Sequence, residues 1–134
     1  LQVIEHLWDL RGFLREVRRI ADWTCLSTPN RLTFSPGLGR GQKPTNPFHV
    51  EEFDAEQLHD LLRGAGFGQI HMFGVDHGPR LSQRPTLIAE QIHAALTDNW
   101  PAELEAFVAR TACDDFTISP ADLEDSLDLV VVAR

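Results

Sequence analysis

The spacing of apolar residues predicts an amphipathic helix near the start of the chain. Apolar side chains recur there at intervals of three and four residues with charged residues between them: Leu10, Phe13, Leu14, Val17 and Ile20. Asp9 precedes this pattern and offers a carboxylate that accepts hydrogen bonds from the first free backbone N–H groups of a helix. We therefore predict a helix of about three turns that begins after Asp9.

Three short stretches have the composition of buried strands. Residues 24–27 form the first, and 28–30 (Thr-Pro-Asn) stop it. Residues 69–75 form the second, and the β-branched run 127–133 forms the third. Between the first two, residues 31–50 are rich in glycine and proline, which predicts a long loop of the kind that is often functional or mobile.

Further helices are predicted between and after these strands. Asp54 and Gln57 have the spacing of a capping box, and Gly64 and Gly66 are candidate ends of that helix. The stretch 86–97 is helical by its apolar positions Ile88, Ile92, Ala95 and Leu96, and Pro101 can start one more short helix.

The order of these elements predicts an α/β fold. Helices and strands alternate along the chain, which is typical of a largely parallel sheet. Residues 77–125 then form a helical insert between the second and third strands, which we interpret as a substrate-side lid or a dimer surface.

Composition narrows the classes of function. The 134 residues are 43% hydrophobic and 24% charged, values typical of one globular domain. A net charge of −8 argues against non-specific binding to nucleic acid or to anionic lipid. No apolar stretch has the length of a membrane span and the start lacks a signal-peptide pattern, so we expect a cytoplasmic protein in which Cys25 and Cys113 are free thiols. A start without methionine suggests a piece of a longer chain.

Candidate chemistry lies at the predicted strand ends. Glu5 and His6 are adjacent and follow a further strand that we expect just before Leu1, and His49 stands in the long loop after strand 24–27. In open α/β sheets, ligands bind beyond the carboxyl ends of the strands. A carboxylate and two imidazoles suit a divalent ion such as Mg²⁺ or Mn²⁺ that keeps open positions for water or substrate.

Three segments together resemble the second half of a class I S-adenosylmethionine-dependent methyltransferase: Val3-Ile4-Glu5-His6-Leu7, the helix segment 13–19 (Phe-Leu-Arg-Glu-Val-Arg-Arg), and Leu26-Ser27-Thr28-Pro29-Asn30. The resemblance covers residues 1 to about 76 and the last strand. It implies a Rossmann-like fold whose final strand is antiparallel and inserted between two others. It also implies S-adenosylmethionine as cofactor, which we assign to Gln2 and Val3.

A narrower resemblance concerns the metal. In metal-dependent O-methyltransferases of this superfamily a Glu-x-x-Glu-His motif and a later histidine bind a divalent cation. Here Gln2, Glu5 and His6 occupy the motif, and His49, followed by Glu52-Phe53, matches the later histidine. The amide at Gln2 brings no charge, which lowers the expected metal affinity.

The acceptor is expected to be a sugar hydroxyl. Segments 30–37, 46–49 and 77–81 resemble sugar O-methyltransferases associated with methylglucose polysaccharide synthesis. The resemblance implies substrate contacts from Asn30, Arg31, His77 and Arg80. If no metal binds, His49 or His77 becomes the general base, because imidazole titrates near neutral pH.

Plainer interpretations stay open. Glu5-His6 would also suit a solvated helix start, and His49 and His77 would suit ordinary loop and turn positions. The glycine-rich loop that holds the methionine part of the cofactor has no counterpart here, nor does the acidic residue that holds its ribose. The alternative to an enzyme is therefore a non-catalytic α/β half-domain that serves assembly or ligand binding.

Overall fold

The computed structural model describes residues 2–134, apart from the side chains of Ile88, Ala89, Ile92 and Leu96. These residues divide into two compact units. The first comprises the described residues up to Val75 together with Ile118–Arg134, and the second is Asp76–Thr117. Within the part of the chain that is described, no helix has the length and apolar character needed to cross a membrane.

The predicted helices of the first unit are present with the predicted caps. Helix α1 spans Leu10–Ile20, and the Asp9 carboxylate accepts from the backbone N–H of Gly12. A one-turn helix that the sequence analysis missed, α2, spans Arg31–Phe34. Helix α3 spans Ala55–Gly64, and its reciprocal capping box between Asp54 and Gln57 is complete.

The four strands form one sheet in the order β1-β4-β2-β3. Their bounds are Thr24–Pro29, Ile70–His77, Phe116–Ser119 and Asp128–Ala133 for β1 to β4. Strand β4 pairs antiparallel with both β1 and β2, so that Val131 lies opposite Leu26 on one side and Met72 on the other. The inserted, antiparallel final strand agrees with the prediction, whereas β3 was not predicted.

The expected largely parallel sheet is not seen in the described residues. Both strand pairings with a defined register are antiparallel. Strands β1 and β2 do run in the same direction, since each is antiparallel to β4, but β4 separates them. Alternating helices and strands fix the direction of successive strands and not which strand pairs with which.

The core of the first unit lies between the sheet and its two longer helices. Leu14 of α1 and Leu58 and Leu62 of α3 are fully buried, together with Leu129 and Val131 of β4. Alternate residues of β4 are buried, as the period of two in a strand requires. This packing fixes the segments before α1 and before α3, which carry the candidate site.

The second unit is helical. Helices α4, α5 and α6 span Pro79–Ser82, Pro85–Thr97 and Ala102–Ala109. Three apolar positions that predicted α5, Ile88, Ile92 and Leu96, lie outside the described side chains. Ala94 is buried in this unit and Ala95 is exposed, the reverse of the predicted stripe. The role of this unit as a lid or a dimer surface stays a prediction.

Candidate functional site

A single 3₁₀ turn, Ile4–His6, positions the first two candidate ligands. Ile4 is buried in the core and anchors the turn, and Glu5 beside it is only 1% exposed. The backbone carbonyl of Glu5 accepts from the N–H of Val50 at 2.7 Å. This bond holds the end of the long loop against the turn and thereby brings His49 next to His6.

Glu5, His6 and His49 converge on one point. Each offers one ligand atom, and these three atoms lie within 4.8 Å of one another. The two imidazole rings meet edge to face, with centroids 4.9 Å apart. Nε2 of His6 lies 3.8 Å from Oε1 of Glu5. The structure therefore brings together the residues that the sequence analysis assigned to a metal.

Hydrogen-bond partners orient both imidazoles in the same way. Nδ1 of His6 lies 2.9 Å from the carbonyl oxygen of Phe48, and Nδ1 of His49 lies 2.6 Å from Oε1 of Glu52. Because a carbonyl and a carboxylate oxygen only accept, each Nδ1 carries the hydrogen. Each Nε2 is then the ring nitrogen that could bind a cation, which is the arrangement usual in metal-bound histidine.

Two buried carboxylates give the cluster its electrostatic character. Glu5 and Glu52 are 1% and 3% exposed, and within the described residues neither forms an ion pair with lysine or arginine. Oε2 of Glu5 accepts from the hydroxyl of Thr28 at 3.3 Å, while Oε2 of Glu52 is buried with no hydrogen-bond partner. Buried carboxylates need compensating charge, which in this cluster a cation would supply.

The donor set fits a divalent ion. One carboxylate and two imidazoles make a mixed oxygen and nitrogen site, which suits ions such as Mn²⁺. His6 is 44% exposed, so the cluster is open to solvent on one side. Nδ2 of Asn46 now lies 2.9 Å from Nε2 of His49, so this amide would have to move before an ion could bind there.

Three neighbours of the cluster were missed as functional residues. Glu52 orients His49, Asn46 contacts its other ring nitrogen, and the Phe34 ring stacks on it with centroids 5.6 Å apart. The spacing of three residues on either side of His49 was the available signal for Asn46 and Glu52. No local pattern signals Phe34, because it belongs to the unpredicted helix α2.

Gln2 and Val3, assigned to the cofactor, lie at the start of the same turn. The Gln2 amide donates to Oδ1 of Asp128 at 3.0 Å. The partners of the two histidine Nδ1 atoms are Phe48 and Glu52, not Gln2 or Val3. The Val3 side chain is half exposed. Their contact with a cofactor stays a prediction.

Asn30 and Arg31, assigned to the substrate, are engaged in the fold of the first unit. The buried Asn30 amide donates to the carbonyls of Leu123, Glu124 and Ser126 at 2.9 to 3.1 Å. The guanidinium of Arg31 binds the Asp54 carboxylate. Both side chains hold loops in place in this structure, and direct contact with an acceptor stays a prediction.

His77 and Arg80 belong to the second unit. The His77 ring lies tilted against that of Phe116, with centroids 6.1 Å apart. The Arg80 guanidinium binds Asp115 and lies 5.4 Å from the centre of the Phe107 ring. The hydrogen bond from Arg80, supported by one from the Ala112 N–H, lowers the pKa of Asp115 to about 2. The catalytic and substrate roles of His77 and Arg80 stay predictions.

Comparison with known proteins gives relatives over almost the whole chain. A probable S-adenosylmethionine-dependent methyltransferase of Mycobacterium tuberculosis is 44% identical over 98% of the chain. A protein of Mycolicibacterium smegmatis with the same description is 42% identical over 98% of the chain. The chain is homologous to part of these proteins.

The match covers only part of each relative. The chain spans about half the length of these relatives, 52% and 55% respectively. No protein-family model matches the chain, and no solved structure matches it. The relatives' description agrees with the methyltransferase resemblance in the sequence, while their printed names give neither acceptor nor metal.

Proposed function

We propose that this chain is part of an S-adenosylmethionine-dependent O-methyltransferase of the class I fold, and that Glu5, His6 and His49 hold a divalent cation beside the acceptor hydroxyl. The relatives' shared description supports the reaction and the cofactor. The inserted antiparallel strand β4 supports the fold. The single observation that carries the metal site is the convergence of the three ligand atoms within 4.8 Å.

The transfer itself requires alignment and a nucleophilic oxygen. The sulfonium of the cofactor is already a good electrophile, so the protein must place the acceptor oxygen, the methyl carbon and the sulfur in line. A bound Mg²⁺ or Mn²⁺ would polarise the acceptor hydroxyl and favour its deprotonation. The methyl carbon then bonds to oxygen as its bond to sulfur breaks, and the hydroxyl proton passes to a base.

The remaining roles, binding the cation and accepting the proton, belong to residues of this chain. Glu5 contributes a buried negative charge, and the two histidines offer Nε2 lone pairs whose direction the Phe48 carbonyl and Glu52 fix. If no cation binds, Nε2 of His49 would be the proton acceptor, since the hydrogen bond from its Nδ1 to Glu52 would stabilise the imidazolium that forms. His77 is the alternative base.

The acceptor we propose is a sugar or polysaccharide hydroxyl. This rests on the resemblance of segments 30–37, 46–49 and 77–81 to sugar O-methyltransferases. The opening of the cluster to solvent through His6 is compatible with a large acceptor.

Titration of Mn²⁺ into the full chain, followed by calorimetry, tests the metal site directly. We expect binding to wild type and a loss of at least about tenfold in affinity for His49→Ala, because removal of one ligand in three weakens a metal site strongly. His59→Ala is the matched control, because His59 is a half-exposed histidine of α3 that does not belong to the cluster. Equal affinities for all three proteins would contradict the site.

Methyl transfer from labelled S-adenosylmethionine to saccharide hydroxyls, catalysed by the whole enzyme of which we propose this chain is a part, tests the reaction separately. We expect transfer that a chelator abolishes and added Mn²⁺ restores. Transfer that continues unchanged in chelator would overturn the metal's role and leave the reaction standing. Absence of transfer with metal, cofactor and acceptor all present would overturn the proposed reaction.

A further inference from the structure

A cavity of about 280 Å³ lies in the first unit. Its apolar part includes the buried residues Leu10 and Phe53. The volume falls just below the range usual for drug-sized ligands, about 300–1,000 Å³. The cavity therefore suits a small ligand unit, about the size of one sugar ring.

Trp8 lines this cavity and is 91% exposed, more than any other large hydrophobic residue described. An exposed indole gains free energy when an apolar partner covers it, because apolar surface is then removed from water. The flat ring offers an apolar surface to a ligand that is itself flat and partly apolar. The C–H face of a pyranose ring has this character, since its hydroxyl groups point outward from the ring edge.

The polar lining carries both signs of charge. Arg11 and Arg40 contribute guanidinium groups, and Asp9, Glu51 and Asp60 contribute carboxylates. Within the described residues, the side chains of Arg11, Arg40 and Glu51 form no hydrogen bond or ion pair, so their polar atoms are free for a ligand. Mixed donors and acceptors without a dominant charge suit a neutral polyhydroxyl ligand better than an anion such as phosphate.

The cavity and the cluster draw residues from two common segments of the chain. Trp8 follows His6 by two residues, and Glu51 follows His49 by two residues. Two residues of extended chain span at most about 7 Å. The backbone at Trp8 and at Glu51 therefore lies within about 7 Å of the backbone at His6 and at His49, a separation that neighbouring units of one oligosaccharide can span.

From these observations we infer that the Trp8 cavity is a saccharide subsite, which binds one sugar unit of the acceptor while another unit presents its hydroxyl to Glu5, His6 and His49. The inference rests on the proposed function, because that function makes the sugar unit at Glu5, His6 and His49 the one that is methylated. Trp8 stacks on the sugar ring, and Arg11, Arg40 and Glu51 bind its hydroxyl groups. Trp8 is thus a binding residue that discriminates saccharides from other alcohols.

A titration of the full chain with oligosaccharides tests this subsite. The probes are two glucose tetrasaccharides, maltotetraose and cellotetraose, with inorganic phosphate as the rival ligand, all without cofactor and with chelator present. Two-dimensional ¹H–¹⁵N NMR follows the indole N–H signal of each tryptophan. We expect one tetrasaccharide to shift the Trp8 signal in a saturable way, while phosphate leaves it unchanged.

Variants make the assignment specific. We expect Trp8→Ala to weaken tetrasaccharide binding about fivefold to tenfold, in line with about 1–1.4 kcal/mol for one aromatic contact, and Trp8→Phe to retain most of it. Trp23→Ala is the matched control, because Trp23 is half exposed and does not line the cavity. Arg11→Ala should also weaken tetrasaccharide binding. Its control is Arg15→Ala, because Arg15 belongs to the same helix and does not line the cavity.

The outcomes separate this inference from the proposed reaction. Failure of both tetrasaccharides to shift the Trp8 signal, equal losses in the two tryptophan variants, or saturable binding of phosphate would each overturn the subsite. Saccharide binding at Trp8 in a protein that transfers no methyl group would keep the subsite and overturn the reaction. Methyl transfer to other alcohols, with full activity in Trp8→Ala, would keep the reaction and overturn the subsite.

Discussion

Nδ1 of His49 lies 2.6 Å from Oε1 of Glu52, and both side chains are almost completely buried. The pair joins a candidate metal ligand to a carboxylate that has no other partner, since Oε2 of Glu52 accepts no hydrogen bond within the described structure. Partners of this kind set the direction of a ligand ring and raise its basicity. Glu52 is thus a positioning residue for His49.

Glu52→Gln should weaken Mn²⁺ binding about tenfold to a hundredfold, the usual cost of removing such a partner. The neutral amide keeps the volume of the side chain and loses the charge that supports His49. Glu51→Gln is the control, because Glu51 is adjacent and exposed. Calorimetric titration measures both, and circular dichroism checks that the fold is retained. Unchanged affinity in folded Glu52→Gln would contradict the positioning role.

Asn30→Ala should destabilise the protein by about 2–3 kcal/mol. The fully buried Asn30 amide donates to three backbone carbonyls of the turn before β4, and alanine would remove these bonds, although the Ser126 and Leu123 carbonyls also accept from the hydroxyls of Thr33 and Ser126. Asn99→Ala, at an exposed position, should change the free energy of unfolding by less than about 0.5 kcal/mol. Urea unfolding compares the two, and similar small losses would show that other donors replace Asn30.

Gly74→Ala should destabilise the first unit by about 1–3 kcal/mol. A Cβ at Gly74 of β2 would lie 2.5 Å from Cβ of Ser126, in the turn that Asn30 holds. At Gly68 the nearest atom to an added Cβ is 3.9 Å away, so Gly68→Ala should be neutral or slightly stabilising. Thermal unfolding of both variants measures this difference. A destabilisation of Gly68→Ala as large as that of Gly74→Ala would contradict the prediction.

The Arg80–Asp115 pair should make the second unit sensitive to acid. The pKa of Asp115 is lowered from 3.8 to about 2 by its hydrogen bonds, so the unfolded chain binds a proton at this group more readily than the folded chain. The pair therefore contributes its full stability above about pH 4, and this contribution is lost as the pH falls through about 2.

Asp115→Asn tests that dependence. The difference in unfolding free energy between wild type and Asp115→Asn should shrink between pH 4 and pH 2, and NMR of the wild-type carboxyl carbon should give a pKa near 2. Asp114→Asn is the neighbouring control, for which we expect no such trend. A carboxyl carbon that titrates near pH 4 would contradict the pairing.

Local sequence patterns predicted most elements of the first unit. The Asp54–Gln57 capping box and the Asp9 cap are both present, because the residues that satisfy a helix end lie within three positions of it. The one-turn helix α2 and the edge strand β3 were missed. Each has only four residues, too few to show a period.

The candidate site depended on two levels of information. The residue types at positions 5, 6 and 49 pointed to a metal from the sequence, with help from a family resemblance. Their convergence required contacts that no local pattern encodes, such as the bond between the His6 ring and the Phe48 carbonyl across 42 residues. The path of the long loop decides such contacts, because its glycine and proline residues permit many conformations.

The sequence by itself determined where the longer helices begin, where three of the strands lie, and which side chains have the chemistry to bind a cation. Only the tertiary structure decided that β4 lies between β1 and β2, that Glu52 supports His49, and that the exposed Trp8 lines a cavity. The physical reason is the distance along the chain over which each interaction acts. Capping and periodicity act between near neighbours, whereas strand order, burial of charge and cavity shape follow from how distant segments pack.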